Sequence, residues 1–216
     1  MTTTTKVSIL LFDGLTALDA VGPYEVLRSV PGWEVEFVGK ERGEVRTDSG
    51  SLGLSVDAPL AERPDADVLL VPGGPGQRAL HADDEVLEWL RSVDRGSRRT
   101  TSVCTGSLLL GAAGLLEGRR ATTYWQSLEE LRDFGAEPVA ERWVEDGKYL
   151  TAAGVSAGID MALHLVAEEV APEVSQAVQL GIEYDPAPPF DAGSPAKAPA
   201  PIVNVVREVS RRRAAV

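Results

Sequence analysis

Apolar residues along this chain fall into short continuous runs separated by amphipathic stretches. Residues 6–12 (K-V-S-I-L-L-F) and 67–71 (D-V-L-L-V) are near-continuous apolar runs of strand length. Such runs mark strands buried on both faces of a parallel sheet. Residues 33–38 (W-E-V-E-F-V) alternate, which predicts a half-buried strand. Residues 44–56 hold short β-like pieces broken by glycines, and residues 139–144 and 149–152 read as two strands turning at Asp146-Gly147. Helical patterns lie between the strands. Residues 16–30 are mainly helical, with Gly22-Pro23 marking a helix start or a kink. Residues 83–93 have an acidic first turn and Val86, Leu90 and Val93 on one face. Residues 125–134 read as helical. Ser156 is placed to cap a buried helix running to about Val170. Pro172 starts another, with Val174, Ala177, Val178 and Ile182 on one face. Residues 184–201, rich in Pro, Ala, Gly and Ser, read as extended and irregular before a final helix.

Strands alternating with helices predict an α/β chain with a mostly parallel sheet and helices on both faces. Ligands of such sheets bind at the carboxyl ends of the strands. Three features fall at those ends: the loop after the first strand, Gly73-Gly74, and Cys104.

Cys104 is the sole cysteine. A β-prone run, Arg99–Val103, leads into it and a segment of small residues and leucines (T-G-S-L-L-L-G) leads out. That is the local sequence of a nucleophile elbow. A helix N-terminus and nearby N–H groups favour the thiolate, lowering a pKa that is about 8.5 in a free cysteine. A buried structural cysteine is the other reading. Gly74 is placed to point a backbone N–H at Cys104, where with the Thr105 N–H it forms an anion-stabilising hole; a plain tight turn also needs glycine. The pair is not part of a G-x-G-x-x-G dinucleotide fingerprint. Asp19 is an acid inside an apolar segment (A-L-D-A-V-G-P), which fits either a proton relay to the thiol or an N-cap before Pro23. His81 reads as a surface residue and His164 as a satisfied core histidine. Tyr124-Trp125 reads as core packing or as a pocket wall.

Composition narrows the field. The chain has 216 residues, a net charge of −12 and only two histidines. One cysteine excludes an internal disulfide framework and a cysteine-rich zinc site, and two histidines leave little for a metal. The acidic balance argues against nucleic acid as a partner. Arg211-Arg212-Arg213 reads as a solvated helix end. Neither a signal-peptide pattern nor an apolar run of roughly 18–20 residues is present, so a soluble, cytoplasmic protein away from the membrane is expected.

Residues 102–125 (S-V-C-T-G-S-L-L-L-G-A-A-G-L-L-E-G-R-R-A-T-T-Y-W) closely resemble the elbow segment of the ThiJ/PfpI superfamily. Residues 18–27 (L-D-A-V-G-P-Y-E-V-L), 71–74 (V-P-G-G) and 154–163 (G-V-S-A-G-I-D-M-A-L) share the resemblance, which spans almost the whole chain. Residues 178–195 resemble the corresponding stretch of its bacterial isocyanide hydratase branch. The resemblance implies a class I glutamine amidotransferase-like fold, a flavodoxin-like three-layer sandwich with a nucleophile elbow. Residues 1–216 then form a single domain with an extended C-terminal segment, 184–216. It further implies Cys104, Asp19 and Thr105 at the active site, hydration of a small-molecule isocyanide, no cofactor, and a cytoplasmic homodimer. The open alternatives are an amidase, a glyoxalase-like enzyme, or a redox-sensing stress protein using the same cysteine. PfpI-type peptidases carry a histidine after the nucleophile, where Thr105 stands, which argues against a Cys–His peptidase. Relatives often read A-T-T-H-W where residues 121–125 read A-T-T-Y-W. AraC-type regulators of the superfamily continue into a helix-turn-helix, which with the acidic charge argues against a transcription factor here.

Overall fold

A computed structural model describes residues 4–214. The chain divides into two units, Met1–Ile182 and Glu183–Val216. In the first unit the order is β1 (Thr5–Leu10), α1 (Ala17–Leu27), β2 (Trp33–Gly39), β3 (Gly43–Arg46), β4 (Gly53–Val56), β5 (Ala58–Pro59), β6 (Val68–Val71), α2 (Gln77–Leu80), α3 (Asp84–Gly96), β7 (Arg99–Val103) and α4 (Gly106–Ala112). It continues with β8 (Arg120–Ala121), a 3-10 helix (Trp125–Phe134), β9 (Glu137–Pro138), β10 (Trp143–Asp146), β11 (Tyr149–Ala152), α5 (Ala157–Glu169) and α6 (Pro172–Gly181).

The main sheet has the order β10-β11-β7-β6-β1-β2-β5. Every neighbouring pair is parallel except β10 with β11. Without the short edge strands this is the flavodoxin-like order, whose direction of winding reverses between β1 and β6. Right-handed crossovers on either side of that reversal put helices on opposite faces. One group holds α1 and α5 in mutual contact, and another holds α4 against β6 and β7 with α3 beside it. β6 is buried along its full length, as its unbroken apolar run predicts. Ile9, Leu69, Leu70 and Leu108 to Leu110 have no exposed surface and form the core between sheet and helices. Burying each such side chain contributes about 2 kcal/mol.

Several local expectations shift. Helix α1 starts at Ala17 with Thr16 as its N-cap residue and runs through Pro23. Asp19 is therefore the third residue of the helix, not a cap before Pro23. Residues 44–56 form a separate antiparallel hairpin, β3 with β4. Residues 139–142 stay outside the β10–β11 hairpin, and β8 pairs with β9 in a small sheet that no sequence pattern announced. Ser156 lies at the N-cap of α5 but makes no cap; its hydroxyl accepts from Arg142 Nη2 at 3.2 Å. On α6, Val178 is buried while Ala177 is exposed. Ser175 takes the inward place and donates to the Leu163 carbonyl at 2.7 Å.

In the second unit, residues 184–199 carry no strand or helix, and α7 spans Ala200–Ala214. Arg211 is exposed, 3.9 Å from Glu208 in the same helix. The Arg212 and Arg213 side chains lie outside the described residues. Among the described residues no helix is long and apolar enough to cross a membrane.

Candidate active site

The site gathers where winding reverses, at the carboxyl ends of β1, β6 and β7. Cys104 follows β7 directly and takes a left-handed backbone, φ 55°, which costs a non-glycine residue about 1–2 kcal/mol. Four hydrogen bonds hold it there. Its N–H is shared between the carbonyls of Ala152 (3.1 Å) and Ala153 (3.2 Å). Its carbonyl accepts from Thr123 Oγ1 at 2.7 Å and from Ser107 Oγ at 3.3 Å. The strand-to-helix corner expected of an elbow is present.

Asp19 comes to this corner from α1. Its Oδ2 accepts the Gly73 N–H at 3.0 Å. Its Oδ1 is fully buried and has no formed hydrogen bond, and the Cys104 thiol is close enough to couple with the carboxyl. Burial, the dominant cause, raises the Asp19 pKa from 3.8 to about 7 against the opposing help of Gly73 and Cys104. Asp48 adds a smaller push in the same direction.

The thiol departs from the sequence expectation. Cys104 is only 6% exposed. Burial pushes its pKa well above the ordinary thiol range, and the neighbouring Asp19 charge pushes it further. The Thr105 N–H and hydroxyl act in the lowering direction but do not prevail. The helix N-terminus argument fails here because desolvation outweighs it. The resting pair is a protonated thiol beside a carboxyl that titrates near neutrality.

Gly74 also differs from expectation. Its N–H donates to Thr105 Oγ1 at 3.0 Å, so it seats the threonine instead of facing the sulfur. Gly74 itself is required: φ is +122°, and a Cβ there would lie 2.4 Å from the Thr16 nitrogen. The Thr105 hydroxyl in turn donates to the Gly74 carbonyl at 3.5 Å, and it also acts on the thiol.

No histidine acts on Cys104 among the described residues. His81 is half-buried, pairs with buried Gln77 and sits edge-on to Phe134 at 5.4 Å. Burial and Arg78 lower its pKa. His164 is not a core residue; it stacks on Trp143 at 5.5 Å and meets Glu145 at 3.1 Å. Tyr124 packs its ring over Gly154, where a Cβ would lie 2.5 Å from Tyr124 Cδ2. Its hydroxyl accepts from Gln126 at 2.9 Å. Because Ala152 and Ala153 receive the Cys104 N–H, Tyr124 stands beside the elbow. Sequence reasoning missed Thr123 and Ser107 as supports of Cys104. Among the described residues no cluster of three or more His, Cys, Asp or Glu is arranged to hold a metal ion.

Comparison with known proteins agrees with this architecture. The chain is 46% identical to an isonitrile hydratase of Pseudomonas putida, covering 94% of this chain and 89% of the relative. It superimposes on a ThiJ/PfpI family protein from Pseudomonas syringae with a TM-score of 0.93 at 38% identity, covering 97% and 87% of the two chains. It is 29% identical to the HTH-type transcriptional regulator CdhR of Pseudomonas aeruginosa, over 81% of this chain but only 53% of the regulator. The DJ-1/PfpI family model matches residues 5–168, so this chain belongs to the DJ-1/PfpI family.

Proposed function

We propose that the chain hydrates isocyanides, R–N≡C, to N-substituted formamides, with Cys104 as the nucleophile. The buried Asp19–Cys104 pair carries this reading: one carboxyl near pKa 7, one protonated thiol, and no histidine acting on either. The 46% identity to an isonitrile hydratase supports the substrate class.

The Asp19 carboxylate takes the thiol proton as Sγ bonds to the terminal carbon. Asp19 passes that proton to the same carbon, leaving a thioimidate, R–N=CH–S–Cys104. Thr105 steadies the sulfur through its N–H and hydroxyl while charge develops, and Gly74 holds that hydroxyl in place. Water then adds across the C=N bond, oxygen to carbon and a proton to nitrogen, with Asp19 as the relay. The tetrahedral R–NH–CH(OH)–S–Cys104 collapses with cleavage of the C–S bond. The hydroxyl proton returns to sulfur and R–NH–CHO leaves. A redox-sensing role fits less well, because oxidation favours an exposed thiolate and this thiol is neither exposed nor acidified.

The test is turnover of an aryl isocyanide by purified protein, read as formamide by mass spectrometry. Formamide from the wild type and none from Cys104→Ala is expected; no formamide from the wild type overturns the reading. The reading carries with it a homodimer, which sedimentation velocity checks.

A further inference from the structure

Thr16 is the N-cap residue of α1, the helix that carries Asp19, yet its side chain makes no cap hydrogen bond. A threonine at that position ordinarily accepts an N–H of the first turn. Here its hydroxyl donates to Asp48 Oδ2 at 2.9 Å. The chain around Asp48 is stitched to the same segment through the backbone. The Gly14 N–H donates to the Arg46 carbonyl (2.7 Å) and the Asp48 N–H to the Leu15 carbonyl (2.9 Å). The Arg46 N–H donates to Asp13 Oδ1 at 2.8 Å, and Leu15 bridges to Thr47. A short path then joins Asp48 to the nucleophile. Thr16 N–H donates to the Gly73 carbonyl at 2.9 Å, Gly73 N–H donates to Asp19, and Asp19 acts on Cys104. Asp48 is exposed, and its charge is felt at Asp19. No lysine, arginine or histidine acts on Asp19 or Cys104 among the described residues.

We propose that Asp48 is a specificity-determining residue, a carboxylate held beside the active site that biases its substrates toward isocyanides with neutral or cationic R groups. This rests on the hydratase reading for the word isocyanide, but not for the charge discrimination itself. An anionic R group at Cys104 meets ionised Asp19 and the Asp48 charge that reaches it, with no lysine, arginine or histidine acting there in opposition among the described residues, and like charges repel. Asp48 faces solvent, so the effect is moderate and weakens as salt shortens the screening length to about 8 Å at physiological ionic strength.

Cys104 is the sole cysteine, so alkylation of the intact protein, followed by mass, reports on this site alone. Iodoacetamide is neutral and iodoacetate anionic. Each forms one S–C bond, releases iodide and gives up the thiol proton to solvent. Asp48→Asn keeps an oxygen to accept from Thr16 and removes the charge. The rate ratio of iodoacetate to iodoacetamide should rise about threefold in Asp48→Asn at low salt, and less at high salt. Asp65→Asn, which removes an exposed carboxylate paired with Lys6, should leave the ratio unchanged. With turnover as readout, the preference for the methyl ester of isocyanoacetate over isocyanoacetate itself should fall by a similar factor. An unchanged alkylation ratio in Asp48→Asn overturns the proposal, as does an equal rise in Asp65→Asn. If the wild type turns over neither isocyanide, the hydratase reading falls while the alkylation ratio still decides the role of Asp48.

Discussion

Two buried aspartates, one at each end of the sheet, show how the same side chain serves opposite purposes. Asp94, near the end of α3, is fully provided for. Its Oδ1 accepts from Thr100 Oγ1 at 2.7 Å, and its Oδ2 from the Tyr149 hydroxyl at 3.2 Å and Lys148 Nζ at 3.1 Å. Those partners tie α3 to β7 and β11 beside the amino ends of those strands. Asp19, near the carboxyl ends, receives one backbone N–H and keeps one oxygen unpartnered. A cation and two hydroxyls make a buried carboxylate a fastener. A thiol and an orphan oxygen suit it to the proton-carrying role proposed for it.

The largest effect that sharpens this contrast is expected at the nucleophile. Cys104→Ala should abolish turnover, a loss of about 10⁴-fold or more, while the melting temperature stays near that of the wild type. A variant that keeps even a tenth of the rate breaks the covalent mechanism. Asp19→Asn should lower kcat by about 10²- to 10⁴-fold. In the wild type kcat/KM should fall below about pH 7, because attack needs the carboxylate and Asp19 titrates there. An acid limb near pH 4 breaks the assignment.

The same shift has a stability consequence. Asp19 holds its proton more tightly folded than unfolded, so its contribution is fully present below pH 3.8 and is lost as pH rises through about 7. Across that window the difference is about 4 kcal/mol. Asp19→Asn does not titrate, so its melting temperature should gain on the wild type from pH 4 to pH 8. Parallel melting curves across that range remove Asp19 as a buried titrating group.

How much of this was legible follows from where each signal resides. The strand before Cys104 and the 3-10 helix at Trp125–Phe134 match their sequence readings at both ends. The elbow was legible because a β run, a cysteine and small residues adjoin in sequence. Asp19 stood out as an acid in an apolar segment, but spacing alone left an N-cap before Pro23 open beside a place at the thiol, and only the start of α1 at Ala17 removes the cap. The thiol's direction of shift was not, because a dipole argument is local while desolvation comes from elements remote in sequence. Gly74 was placed at the right loop with the wrong target, since the direction of one N–H depends on where Thr105 settles. Thr123 and Asp48 look like any polar loop residue until the fold brings them to the site.

Asp94→Asn probes the other half of the comparison. It leaves Lys148 without its carboxylate and weakens the bonds to Thr100 and Tyr149. Lys148 keeps some contact with water, at 29% exposure, so the cost is about 2 kcal/mol, below that of a fully buried pair. Denaturant unfolding should show this loss, with kcat/KM within about threefold of the wild type. A collapse in rate with unchanged stability reverses the roles assigned to the two ends.

The smallest effect on stability is expected at Thr123, a positioning residue whose hydroxyl donates to the Cys104 carbonyl. Its hydroxyl donates the shorter of the two side-chain hydrogen bonds holding Cys104 at φ 55°. Thr123→Val keeps the shape and removes the donor, costing about 1 kcal/mol of stability. A left-handed cysteine whose carbonyl is held by the Ser107 side chain alone should sample geometries unsuited to attack, lowering kcat about tenfold while KM changes little. Thr123→Ser restores the donor and should recover most of the rate, although it lacks the methyl group. A merely structural threonine predicts the reverse ranking, with valine tolerated in kcat and serine no better. The kcat values of the two variants, measured at a pH above the Asp19 titration, decide between these roles.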